Sequence, residues 1–168
     1  MVHFKKNVVA LVFALVFGSA VFAQTSQSTE RVFSRNITKS DVNPINLRSI
    51  LTDSYSNNEL DSDGDLLIRK NGISAYVFVE ESQILLKFIT QWSASDSISD
   101  TRAIKLVNKW NEEKVFATAY FTTNKRFRLE YYLSYECGVN AENFNDSLDW
   151  FFALAKTFGQ RLEEEDAL

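Results

Sequence analysis

Apolar positions along the chain change period several times, and each change marks an element. Asn43-Pro44 reads as a helix start, with Asn as N-cap and Pro at the first helical position, where its missing N–H costs nothing. Leu47, Ile50, Leu51 and Tyr55 follow at helical spacing, which predicts one amphipathic helix ending in the polar run from Ser56. From Asp65 the period falls to two. Leu66 to Lys70 and Ile73 to Val79 flank Asn71-Gly72, a pair that tolerates φ > 0 and predicts a tight hairpin. Beyond Glu80-Glu81-Ser82-Gln83, Ile84 to Trp92 predicts a third strand with Ile84, Leu86, Phe88 and Trp92 on one face.

Ser99 or Asp100 caps the next helix, whose Ala103, Leu106, Val107 and Trp110 recur at helical spacing to about Asn111. Val115 to Phe121 and Phe127 to Tyr135 predict a second hairpin across Thr122 to Lys125. There Phe127, Leu129, Tyr131 and Leu133 alternate with Arg126, Arg128, Glu130 and Tyr132, so one face is dry and the other polar. Asn140 caps a long last helix carrying Phe144, Leu148, Phe151, Phe152, Ala155, Phe158 and Leu162. The order α-βββ-α-ββ-α predicts an α+β fold, an antiparallel sheet with helices packed on one face.

Ahead of this domain the chain has a different character. Lys5 and Lys6 precede an unbroken apolar run, Val8 to Phe17. Val21 and Ala23 then suit the small-residue positions of a signal-peptidase site. That layout predicts a signal peptide over 1–23, cut after Ala23, with export to the periplasm or beyond and no membrane insertion of the mature chain. Val8 to Ala23 is too short for a spanning helix, which needs about 20 residues. Residues 24–41, rich in Ser, Thr and charge, read as a flexible polar leader with a short patch at Val32-Phe33. The domain is expected over 42–162, and 163–168 reads as a solvated acidic tail.

Composition narrows the chemistry. Cleavage would remove two lysines and no acid, taking the formal net charge from −4 to −6, a balance that argues against nucleic acid. The only histidine, His3, lies in the predicted signal peptide, so imidazole catalysis and His metal ligation are excluded from the mature chain. Cys137 is the sole cysteine, which excludes an internal disulfide, and burial is the expected state of a free thiol. No glycine-rich phosphate loop is present. The readings are no enzyme, no cofactor and no metal. Asn36-Ile37-Thr38 and Asn145-Asp146-Ser147 match the N-glycosylation pattern only weakly.

"ELDSDGDLLIRK" invites comparison with a calcium loop. Placing Gly64 at position six puts Asp61, Asp63 and Asp65 at positions three, five and seven, but Lys70 at twelve, where a bidentate Glu is required. An acidic turn feeding a strand is the better reading. Asn108 and Asn111 lie near a helix end, where asparagine satisfies loose carbonyls; capping is expected there rather than ligand binding. Trp110 and Trp150 sit on apolar stripes and are expected in the core.

Three segments, "DSDGDLLI", "LVNKWNEEKVFATAYF" and "GVNAENFNDSLDWFFALAKTFGQ", resemble in order and spacing the YbjN family, described as bacterial sensory transduction regulators. The resemblance runs from about Leu47 to Leu162 and is nearest to the family's exported branch. It implies a type III secretion chaperone-like fold, seen in partner-binding and often dimeric proteins, and no established catalytic residues. Its marker positions, of unknown role, are Asp63, Gly64, Asp65, Asn108, Trp110, Asn111, Gly138 and Asn143. Cys137 departs from the Gly or Asp usual there, and Glu80 to Gln83 stand where some exported members have cysteines. The expectation is a non-catalytic exported module that binds a protein partner or forms a homodimer. The alternative is a sensor of small ligands or envelope stress, with a hydrolase using only carboxylates a distant third.

Overall fold

The computed structural model describes residues 35–168, so the expected signal peptide and most of the polar leader lie outside the described residues. Eight strands and three α-helices follow in chain order: β1 Asn36–Ile37, α1 Pro44–Ser49, β2 Asn58–Leu60, β3 Leu66–Lys70, β4 Ile73–Glu80, β5 Leu85–Ser93, α2 Asp100–Glu113, β6 Thr118–Phe121, β7 Arg126–Ser134, β8 Val139–Asn140 and α3 Ala141–Glu164. Six strands make one antiparallel sheet in the order β2-β3-β4-β5-β7-β6, and β1 pairs with β8 in a separate two-stranded sheet. The architecture is α+β, as expected.

Local chemistry accounts for most boundaries. Asn43, Ser99 and Asn140 each accept a hydrogen bond from the backbone N–H three residues on, satisfying a donor that the helix start leaves free. Asn71 and Gly72 both take positive φ in the tight turn between β3 and β4. The register sets alternate side chains on opposite sides. Leu66, Ile68, Ala75, Val77, Leu86, Phe88, Phe127 and Leu129 are buried with Phe144, Phe151 and Phe158 of α3 in one continuous core. Phe88 meets both Phe144 and Phe151, at ring-centroid distances of 5.9 and 5.8 Å.

The first helix is shorter than its apolar stripe predicts. It stops at Ser49, and Tyr55 belongs to a separate 3-10 turn, Asp53–Tyr55. The cause is Asn145 of α3. Its side chain is buried and donates to Ile50 O at 2.8 Å and Ala141 O at 2.7 Å while accepting from Thr52 N–H at 3.0 Å. That amide holds the backbone just past α1 in a bend that a continuing helix could not adopt. It also leaves Asn145 no room to serve as a glycan acceptor.

Both ends of the described chain are built into the fold. Residues 36–41, assigned by sequence to the leader, contribute β1 and a 3-10 turn, and Ile37 is buried. At the other end α3 runs to Glu164, two residues into the predicted tail. Asp166 takes a left-handed φ of 49° and the Ala167 N–H returns to Leu162 O at 2.8 Å, a Schellman-type close. Ala167 is fully buried and its carbonyl accepts from Ser95 N–H at 2.8 Å. Of the acids in that tail, Glu163, Glu164 and Asp166 are exposed, while Glu165 is half-buried and paired with Arg102 at 3.3 Å.

Candidate functional site

All three helices lie on one side of the six-stranded sheet. Residues of opposite parity on the strands form the other side, and none of them joins the core cluster. Across the middle run Glu59, Leu67, Tyr76, Ile89, Glu130 and Thr118, aligned by register. Phe78, Lys87 and Tyr132 form the next row in one direction, and Arg69, Ser74, Gln91, Arg128 and Tyr120 the next in the other. Sequence alternation placed Arg126, Arg128, Glu130 and Tyr132 on a polar face. The structure adds that this face is rich in rings.

The rings are held in place. Tyr76 and Phe78 stack at 5.9 Å with 20° between their planes. Lys87 bonds Glu80 and lies 5.3 Å from the centre of the Phe78 ring. Glu130, only 9% exposed, accepts from Tyr132 OH at 2.8 Å and from Tyr120 OH; Arg128 reaches the same Tyr120 oxygen at 3.2 Å. The bond to Glu130, with burial second, pushes the Tyr132 phenol up to about 12. Burial, then the same carboxylate, raises Tyr120. Both hydroxyls are therefore neutral donors at physiological pH, and Tyr132 leaves 45% of its surface to solvent.

Neither edge of this sheet is open along its length. On β6 the Asn111 amide bonds Ala119 twice, and Trp110 Nε1 donates to Ala117 O at 3.2 Å. On β2 Arg48 donates to Asn58 Oδ1 at 2.6 Å and lies beside the Asn58 carbonyl. Side chains thus occupy positions that an added strand would need.

The sequence markers do not converge. Asp61 Oδ1 accepts from the N–H groups of Asp63 and Asp65, both at 2.9 Å, and Gly64 supplies a φ of 88°. The aspartates shape their own turn, and no group of residues suited to a metal ion occurs among the described residues. Gly138 has a φ of 85°, and a Cβ there would meet Ile37 O at 2.3 Å, so β1 can reach β8 only past a glycine. Asn143 and Asn108 are exposed on α3 and α2. Asn111 is not a helix cap: it seals an edge strand nearby in sequence, a role that helix-end chemistry does not signal.

Two further expectations are corrected. Cys137 is exposed, because Tyr135 O and Gly138 N–H close a tight turn at 2.8 Å that carries Glu136 and Cys137 outward. A cleft of about 510 Å³ runs beside it, lined by Asn36, Asn140 and Asn143 among others. Trp110 is fully buried, but Trp150 is 62% exposed. Trp150 sits on the flank of α3 and touches Phe116 at 5.7 Å, and Phe116 stacks on Tyr131 at 4.2 Å. No helix among the described residues is long and apolar enough to cross a membrane.

Comparison with known proteins adds three findings. A family model described as "YbjN: Putative bacterial sensory transduction regulator" matches residues 44–164. Among solved structures, one titled "Crystal structure of YbjN, a putative transcription regulator from E. coli" is similar, with a TM-score of 0.55 at 13% identity over 62% of this chain and 79% of that one. No curated protein gives a significant match.

Proposed function

The chain belongs to the YbjN family, and on that premise we propose that it is an exported, non-catalytic regulatory module that binds a protein partner or itself through the uncovered face of its sheet. One observation carries the reading: an aromatic face with Tyr76, Phe78 and Tyr132 lies opposite every helix, outside the core. Ordered rings of this kind give large contact area at low entropic cost, and Tyr supplies a donor besides. The sealed sheet edges favour a face as the binding surface over strand addition. Export rests on the N-terminal layout, Lys5-Lys6, Val8 to Phe17 and Ala23.

A photo-crosslinking residue at position 78 or 132, in cells that make the protein, tests the surface. Adducts are expected from both positions and not from Glu142, exposed at the start of α3. Adducts from the helical side alone, or none, would overturn the assignment. Fractionation tests export: the expected product is a shortened chain outside the cytoplasm, and an uncut cytoplasmic chain would contradict it.

A further inference from the structure

Resting on that reading of the face, we infer that its occupant is a second copy of this chain, packed sheet against sheet with the strands of the two copies running in opposite directions. The charges motivate the choice. Four acids and four cations occupy the face: Asp65, Glu80, Glu59 and Glu130 against Lys87, Arg69, Arg126 and Arg128. The face is neutral, so a copy is not repelled. Their placement is uneven. Arg69, Arg126 and Arg128 all lie toward the end where β3 finishes and β7 begins. Asp65 and Glu80 lie toward the opposite end, with Lys87 alone among them.

A surface with a positive end and a negative end is complementary to itself when one copy is turned end over end. The middle row then meets its own equivalent, with Tyr76 half-buried above the buried Leu67 and Ile89, and its two acids are already partnered: Glu130 is withdrawn into bonds with Tyr120 and Tyr132, and Glu59 is paired with Arg69 at 2.7 Å. A partner of one net charge would have to oppose half of this face. The area also suffices. At about 4.8 Å between strands and about 3.4 Å per residue, the six strands outline roughly 600 Å². Two such faces bury about 1,200 Å², the lower bound for stable interfaces, before side-chain relief is counted. Face-to-face packing of twisted sheets is an ordinary solution for such surfaces. The edges bonded by Asn111 and Arg48 keep it from extending into a ribbon.

Sedimentation equilibrium on the purified protein, with variants, decides the matter. The wild type is expected to be a dimer. Tyr132→Ala is expected to raise its dissociation constant at least about tenfold, the effect of losing a central aromatic contact. Asp65→Lys and Arg69→Glu, two residues either side of Leu67 and so opposed across the twofold, are each expected to weaken it, and the double variant to recover much of the loss. Trp150→Ala, on the helical side, is expected to leave it unchanged, and thermal melts show that each variant is folded. A monomer at all concentrations, a dimer indifferent to Tyr132→Ala and both reversals, or one lost with Trp150→Ala would overturn the inference. The mass of the adducts from position 132 separates it from the broader reading. Twice the chain mass is expected. Adducts with a different protein alone would overturn the second copy yet leave the face as a binding surface, and no adducts would overturn both.

Discussion

Asn111 and Ala119 are joined twice: the Asn111 Nδ2 donates to Ala119 O at 2.9 Å, and the Ala119 N–H donates to Asn111 Oδ1 at 2.8 Å. An amide side chain on α2 thereby stands in for a neighbouring strand on the outer edge of β6. Asn111→Ala leaves both backbone groups without that partner and is expected to cost about 1–3 kcal/mol. Urea unfolding measures the loss. The opened edge is also expected to give light scattering that grows with protein concentration.

Trp110 and Trp150 are one chemical type in two environments. Trp110 packs against Phe158 at 4.9 Å with its N–H bonded, and Trp110→Ala is expected to cost about 3–5 kcal/mol. Trp150→Ala removes a mostly exposed ring and is expected to cost less than about 1 kcal/mol. Thermal denaturation of the two variants side by side checks the ranking.

Asp166 holds a left-handed conformation at the acidic end of α3. Asp166→Gly relieves that backbone and removes a negative charge from the negative end of the helix dipole. It is expected to stabilise the fold by about 1 kcal/mol, read as a higher urea midpoint.

Alkaline titration reports on the open face. The Tyr132 phenol is pushed up to about 12 by its bond to Glu130 and by burial. A raised pKa means that this group's stabilisation is complete below the unfolded value near 10 and is lost as pH rises toward 12. Phenolate absorbance is expected to show this late-titrating tyrosine, and Glu130→Gln to bring its midpoint down.

Most of the sheet is legible in the sequence, since the period-two runs from Leu66 to Val79 and Phe127 to Ser134 border turns whose residue types announce them. The helix caps at Asn43, Ser99 and Asn140 are equally local. Relationships between distant residues leave a fainter trace. The β1–β8 pair is two residues long and joins positions about a hundred apart, so only Gly138 could have hinted at it. The truncation of α1 depends on Asn145, which no property of residues 44–55 discloses. Trp150 shares a helical stripe with the core but falls on its flank, and periodicity does not separate centre from flank. The ringed face reads as merely polar because Tyr132 alternates with Arg128 and Glu130, and its neighbours Tyr76 and Phe78 come from another hairpin.

Hydroxyl-radical footprinting in intact cells, set against dilute purified protein, tests the central claim most directly, that the uncovered face is the one the protein uses. Tyr132 and Trp150 are both accessible in the free chain, on opposite sides of the sheet. The account expects Tyr132 to be protected in cells while Trp150 stays as reactive as in the dilute sample. Equal reactivity of Tyr132 in both, with Trp150 protected instead, would contradict it.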